Sequence, residues 1–323
     1  MLWKKLLLVM SVLFLATLPS AAQEKQNPEA IKHYNAGVEL WKAGDYEKAL
    51  QEYKQSLALD STSVQTLYGI GLVYRQLDQL DEAIEYLSKA VRINPRYVDA
   101  YYDLGLTYWK QKEYDQAINQ FLTVTNFGPE GGSKYHKAYF SLGRLYQLKK
   151  ELDQAKEALQ MALAFDPEYA EAYYYLGEVH RAQGNLTQAI EAYNQAAALD
   201  STDMQIFYRL GLVYKEDGKY ERAAEAYQRV SHSKSKLATD SRYRLCVVYN
   251  AMGRYDEAIS MAQEYLQRKP NAAQALMALG EAHENLGQYK EAVEAYTKAS
   301  KDSQWKQFAT YKIDQLKKYT EEE

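Results

Sequence analysis

A period of about 34 residues constrains this chain more than any other feature. The stretch from Val64 to Tyr97 reads VQTLYGIGLVYRQLDQLDEAIEYLSKAVRINPRY. Counted from Val64, positions four, seven, eight and eleven hold Leu67, Ile70, Gly71 and Tyr74. This is an i, i+3, i+4, i+7 stripe, the mark of one buried helix face. A second stripe, Ala83, Leu87 and Ala90, follows a polar turn, and Pro95 ends it because proline cannot continue a helix. Each period therefore encodes a pair of short amphipathic helices.

The register runs through the chain. Position eight reads Gly37, Gly71, Gly105, Gly143, Gly177, Gly211, Cys246 and Gly280. A small alanine position reads Ala49, Ala83, Ala117, Ala155, Ala189, Ala223, Ala258 and Ala292 without exception. The large position of the second helix reads Tyr53, Leu87, Phe121, Leu159, Tyr193, Tyr227, Ala262 and Tyr296. A glycine inside a helix costs about 1 kcal/mol against alanine, so its recurrence calls for close helix packing. Over roughly residues 30–306 these positions resemble the tetratricopeptide repeat (TPR) family. The resemblance implies an all-α, right-handed α-solenoid of eight helix-turn-helix units, each burying its apolar face against its neighbours.

The organisation expected is a signal peptide over 1–22, a polar lead-in over 23–29 and repeats one to three over 30–131. A Gly/Ser insertion at 132–135 separates these from repeats four to eight at 136–306. A capping helix over 304–323 carries Trp305, Phe308, Ile313 and Leu316 as its apolar positions. The Gly-rich insertion reads as a surface loop, with a hinge as the alternative. Repeat seven is the most divergent, with Arg242 in an apolar position, Cys246 for glycine and Ala262 in the large position.

The N-terminal segment pairs Lys4 and Lys5 with an apolar run from Leu6 to Leu18 and small residues at Ala21-Ala22. This is the secretory pattern, with cleavage expected after Ala22 and a periplasmic or extracellular address. An uncleaved signal anchor is the alternative and would be the chain's contact with a membrane. The formal charge is −4, which argues against nonspecific nucleic-acid binding. Cys246 is the one cysteine, so no internal disulfide forms; it reads as a small buried residue in a glycine position.

Catalytic and metal motifs are missing from the pattern. His33, His136, His180, His232 and His283 have no metal-ligand spacing, and His180 and His283 stand where other copies have tyrosine, as core residues. Acidic pairs such as Asp81-Glu82 open second helices, where they favour the helix dipole. The expectation is a non-catalytic chain with no cofactor and no metal.

In TPR proteins the first helix of each repeat lines a concave groove, and the resemblance places positions two, five, nine and twelve there. Position five gives an aromatic ladder: Tyr34, Tyr68, Tyr102, Phe140, Tyr174, Tyr208, Tyr243 and then Met277. Repeats one to three add Val38, Leu72 and Leu106 at position nine, and Trp41, Arg75 and Trp109 at position twelve. Such an apolar, aromatic strip suits an extended or helical peptide. Repeats four to seven contribute Arg144 and Arg181 within a mixed face, which also holds Lys137, Arg209, Lys215 and Arg244 against Glu171, Glu178, Glu216 and Asp240. That face reads either as a seat for an acidic segment or as a salt-bridged wall. Some TPR proteins clamp a C-terminal carboxylate with Lys at position five and Asn at positions six and nine. Tyr at position five and Val or Leu at position nine exclude that activity here.

The leading expectation is a scaffold that binds a protein or peptide segment in the groove, in envelope assembly or secretion. The alternative is a glycan stacked on the tyrosine ladder. Self-association through the capping helix is compatible with the sequence.

Overall fold

The computed structural model describes residues 27–320. The signal peptide, most of the polar lead-in and the last three residues of the cap lie outside the described residues. Among the described residues there is no strand, and seventeen α-helices account for nearly all the structure. The first four repeats hold α1 (Pro28–Lys42), α2 (Tyr46–Leu59), α3 (Val64–Gln76), α4 (Leu80–Ile93), α5 (Val98–Lys110), α6 (Tyr114–Asn126), α7 (Ser133–Leu148) and α8 (Leu152–Phe165). The next four hold α9 (Ala170–Ala182), α10 (Leu186–Leu199), α11 (Met204–Glu216), α12 (Tyr220–Ser231), α13 (Ala238–Ala251), α14 (Tyr255–Arg268), α15 (Ala273–Asn285) and α16 (Tyr289–Ala299). The capping helix is α17 (Lys306–Thr320). The chain is an α-solenoid of eight helix pairs and a cap.

Two boundaries differ from the sequence reading. Pro28 and Glu29 open α1 instead of belonging to the lead-in: the missing proline N–H costs nothing in the first helical turn, and the Asn27 side chain caps the Glu29 N–H. Residues 133–135, assigned above to the insertion, form the start of α7, and the irregular join is a short 3₁₀ helix at Gly128–Gly131. The chain divides into two compact units between Gln120 and Phe121, inside α6.

Turns within the pairs share one device. The residue fifteenth in each repeat has positive φ: Gly44, Asp78, Lys112, Lys150, Gly184, Gly218, Gly253 and Gly287. This left-handed residue ends the first helix and lets the next N–H reach back, as in Asp45 N–H to Leu40 O at 3.0 Å.

In the first unit, Tyr53, Ile70, Val73, Tyr74 and Ala83 form one core cluster, and Leu67, Leu87, Ala90, Ala100 and Leu104 form the next. Between them Ser56 and Thr66 bury their hydroxyls against each other at 3.0 Å. The recurring glycines sit where the paired helix drives in its large side chain. A Cβ on Gly37 would stand 2.7 Å from the Tyr53 ring, and one on Gly71 would stand 2.7 Å from Leu87 Cγ.

The second unit repeats this packing, with Gly143 against Leu159, Gly177 against Tyr193, Gly211 against Tyr227 and Gly280 against Tyr296. Repeat seven inverts the sizes: Cys246 takes the glycine position, Ala262 the large one, and both are fully buried. Tyr265, one turn further along α14 and buried, supplies the ring that Ala262 lacks. Arg242, in its apolar position, is half-buried because its Nε donates to Glu264 at 2.8 Å. At the end of the unit, α17 buries Ala309 and Leu316 on α15 and α16, with Trp305 and Ile313 partly covered. Phe308 instead points to solvent, since the covered stripe runs through residues 305, 309, 313 and 316.

Candidate interaction surface

Position five places its aromatic ring on the first helix, where it meets the second helix of its own repeat and the first helix of the next. In the first unit Tyr34 lies 5.8 Å from Tyr53, centroid to centroid, and Tyr68 meets the edge of Tyr97 at 5.1 Å. The Tyr68 hydroxyl donates to Asp103 Oδ2 at 2.6 Å, and Arg75 donates to Asp103 Oδ1 at 2.6 Å. Asp103 is buried, so both carboxylate oxygens are held inside the repeat junction. Burial and the neighbouring carboxylate push the Tyr68 phenol well above its ordinary pKa.

The remaining first-unit residues are Val38, Trp41, Leu72, Tyr102, Leu106 and Trp109, all half-buried on α1, α3 and α5. They are the half-exposed, apolar part of this surface. Tyr68 and Arg75 contribute differently, since their polar ends are spent on Asp103.

In the second unit the ladder is more deeply tied in. Phe140 is buried, packed on Tyr169 at 4.8 Å and Tyr175 at 5.6 Å, with the Arg144 guanidinium 4.6 Å from the Tyr175 centroid. Tyr174 accepts a hydrogen bond from Arg209 Nε at 3.3 Å, and the same nitrogen lies 3.2 Å from Glu178 Oε1. Glu178 also accepts from the Tyr193 hydroxyl. Arg181 makes a bidentate pair with Glu216 at 3.1 and 2.6 Å. Tyr208 is buried; it donates to Asp240 at 2.6 Å and accepts from Arg244 Nε at 3.3 Å. Tyr243 is half-buried, 5.6 Å from Tyr265. Arg181–Glu216 and Arg209–Glu178 are ion pairs between successive repeats.

A rule emerges that the sequence reading did not use. The position-five hydroxyl of one repeat meets the position-six side chain of the next: Tyr68 with Asp103, Tyr174 with Arg209, Tyr208 with Arg244. Asp103, which the spacing argument leaves out, anchors the junction of repeats two and three. A lone acid next to an aromatic ladder position, one repeat on, was the available signal.

Profiles of the TPR repeat match residues 39–78, 71–112, 143–184 and 177–218, and tetratricopeptide repeat profiles match 99–126, 205–233 and 248–304. Together they span well over half of the sequence. The chain belongs to the tetratricopeptide repeat family. TPR arrays are interaction scaffolds for protein or peptide partners and are in general non-catalytic. Among solved structures, a tetratricopeptide repeat protein from Parabacteroides merdae is 15% identical with a TM-score of 0.56, matching 79% of this chain and 99% of its own. PilF of Pseudomonas aeruginosa is 17% identical with a TM-score of 0.56, matching 66% of this chain and 96% of its own. PilW, a type IV pilus biogenesis factor, is 16% identical with a TM-score of 0.57, matching 66% and 97%. These likenesses show the fold. No curated protein gives a significant match. Among the described residues, no helix is long and apolar enough to cross a membrane, and no cluster of three His, Cys, Asp or Glu side chains is arranged to hold a metal.

Proposed function

We propose that this TPR chain is a non-catalytic scaffold that binds an extended or helical protein segment on the first-helix face of its N-terminal repeats. The observation that carries the reading is the half-exposed strip of Val38, Trp41, Leu72, Leu106 and Trp109 beside the anchored Tyr68–Asp103–Arg75 group. Aromatic and aliphatic side chains fixed in position contribute contact area with little ordering cost, the property that makes binding hot spots. The second unit does not compete with this reading, because Arg181 and Arg209 are paired with acids of the adjacent repeat and Arg244 with Asp240 of its own. Tyr34 and Tyr102 extend the surface as half-buried rings.

The secretory pattern of the first 22 residues directs this activity to an exported setting, in envelope assembly or secretion. The likeness to PilW is one of fold; it is compatible with that setting and adds no partner.

A photo-crosslinking residue placed at Leu106 tests the proposal against one placed at Glu85, which is exposed on α4. The expected result is a discrete crosslinked species in native cells from position 106 alone, lost when Leu72→Glu is added to a chain that circular dichroism shows folded. Equal crosslinking from both positions, or persistence with Leu72→Glu, would sink the assignment of this face.

A further inference from the structure

Two departures from the repeat pattern converge on one place in the second unit. Position twenty-one is apolar in seven repeats, as Leu50, Ile84, Ile118, Ile190, Ala224, Ile259 and Val293, but it is Lys156 in repeat four. Position eleven is tyrosine in repeats two, three, four, six and seven, but it is His180 in repeat five. Lys156 and His180 line the same open cleft of about 800 Å³, between α8 and α10 with α9 as its floor.

Where tyrosine holds this position it reaches back to the preceding repeat, and the equivalent cleft at Tyr214 is smaller, about 300 Å³. Tyr214 accepts a hydrogen bond from Asn194 at 3.4 Å, and Tyr249 accepts one from Gln228 at 2.6 Å. Tyr74 packs under Lys54, 5.6 Å from ring to ammonium. Each partner is the twenty-fifth residue of the preceding repeat. The corresponding residue here is Gln160, which is exposed, and the shorter imidazole does not take up the tyrosine's role. His180 is buried at 8% exposure, and its Nδ1 has no partner among the described residues. His283, the other histidine at position eleven, instead contacts Gln288 Oε1 through Nδ1 at 2.5 Å.

The walls are polar and well ordered by helix geometry. Lys156 and Gln160 are one turn apart on α8; Gln188, Glu191 and Gln195 form an i, i+3, i+7 stripe on α10. Tyr173 adds an aromatic ring on α9. Protein interfaces are anchored by buried aromatic or arginine hot spots, and drug-like pockets are mainly apolar. This cleft has the opposite character: planar amides that donate and accept at once, one cation and one anion. Adjacent hydroxyl groups, each both donor and acceptor, match that inventory.

We propose that the cleft between α8 and α10 is a second binding site, on the second-helix face, that takes a short neutral saccharide segment. The site is independent of the peptide surface on the first helices. Lys156 and Glu191 hold hydroxyls from opposite walls, the glutamines bridge neighbouring hydroxyls, and Tyr173 offers a face to the sugar ring.

The test uses the full-length chain and the side-chain amide signals of Gln160, Gln188 and Gln195 in ¹H–¹⁵N spectra, titrated with chitohexaose, maltohexaose and cellohexaose. The expected result is a saturable shift of these signals with at least one of the three. His180→Tyr, which restores the repeat pattern, is expected to weaken that binding at least tenfold, and Lys156→Ile to weaken it while keeping the fold by circular dichroism. No saturable shift with any of the three sugars overturns the proposal, as does undiminished binding in both variants. A saturable response to an acidic hexapeptide and to none of the sugars overturns the ligand class and assigns the cleft to peptide.

Discussion

The Tyr68 hydroxyl and the Asp103 carboxylate, 35 residues apart in sequence, meet at 2.6 Å across the junction of repeats two and three. Arg75 binds the second oxygen of the same carboxylate. Removing one partner of a buried ion pair leaves a charge stranded and costs about 3–5 kcal/mol, whereas losing one neutral donor costs about 1 kcal/mol. Asp103→Ala is therefore expected to destabilise the chain by about 3 kcal/mol and Tyr68→Phe by about 1 kcal/mol in urea unfolding. Equal effects of the two substitutions would show that Asp103 is not the centre of the junction.

Glycine at position eight is a steric requirement. A Cβ on Gly280 would stand 2.5 Å from Tyr296 Cε1, closer than real contacts allow. Gly280→Ala is expected to cost about 1–3 kcal/mol through overpacking. In repeat seven the sizes are exchanged, so Ala262→Tyr alone should be similarly damaging. Exchange of the set, Cys246→Gly, Ala262→Tyr and Tyr265→Ala, should recover most of the loss. Thermal unfolding of the single and triple variants reads this directly.

Most of the fold was legible because the repeat is a packing code. Gly71, Ala83 and Leu87 specify one helix crossing, and seeing similar residues at one spacing eight times fixes the helix pairs. Ends were harder to read. Pro28 reads as a lead-in residue until Asn27 is seen capping the helix, and residues 133–135 read as loop because Gly131-Gly132 precedes them. The surface was only partly legible. Spacing places Tyr68, Tyr174 and Tyr208 on the first-helix face, yet it does not show that their hydroxyls bond to the following repeat. That depends on how far one repeat is offset from the next, which only coordinates give.

Three turns carry a non-glycine residue where five others carry glycine. Lys112 and Lys150 have φ of 67° and 63°, a region that costs a residue with a Cβ about 1 kcal/mol or more. Lys112→Gly and Lys150→Gly should each stabilise the chain by a few tenths to about 1 kcal/mol, the gain being reduced by the greater freedom of glycine in the unfolded chain. Gly218→Ala, at φ of 74°, should destabilise it by a similar amount. Urea midpoints compared in one buffer check all three signs.

Cys246 is fully buried, and burial pushes its thiol up to about 12. The thiolate is the reactive form, so almost none is present at neutral pH. A disulfide-forming thiol probe should label the native chain only at the rate of unfolding and should label it within seconds in denaturant. Rapid stoichiometric labelling of the folded chain would contradict the buried packing role.

His180 gives the chain a pH dependence with a definite sign. Burial, and secondarily the Lys156 charge, lower its pKa below 6.5, while Glu191 opposes them more weakly. The folded state then binds a proton less readily than the unfolded state, so stability rises with pH. The contribution is fully present above the unfolded value of about 6.5 and is lost as pH falls below it. Wild type should lose more thermal stability between pH 7.5 and 5.5 than His180→Tyr, which has no group titrating in this range. Lys156→Ile should reduce the difference in the same direction, because one of the two charges facing the imidazole is gone and its repulsion with it. Parallel melting curves for wild type and His180→Tyr over this range would mean that His180 is protonated as readily in the fold as outside it.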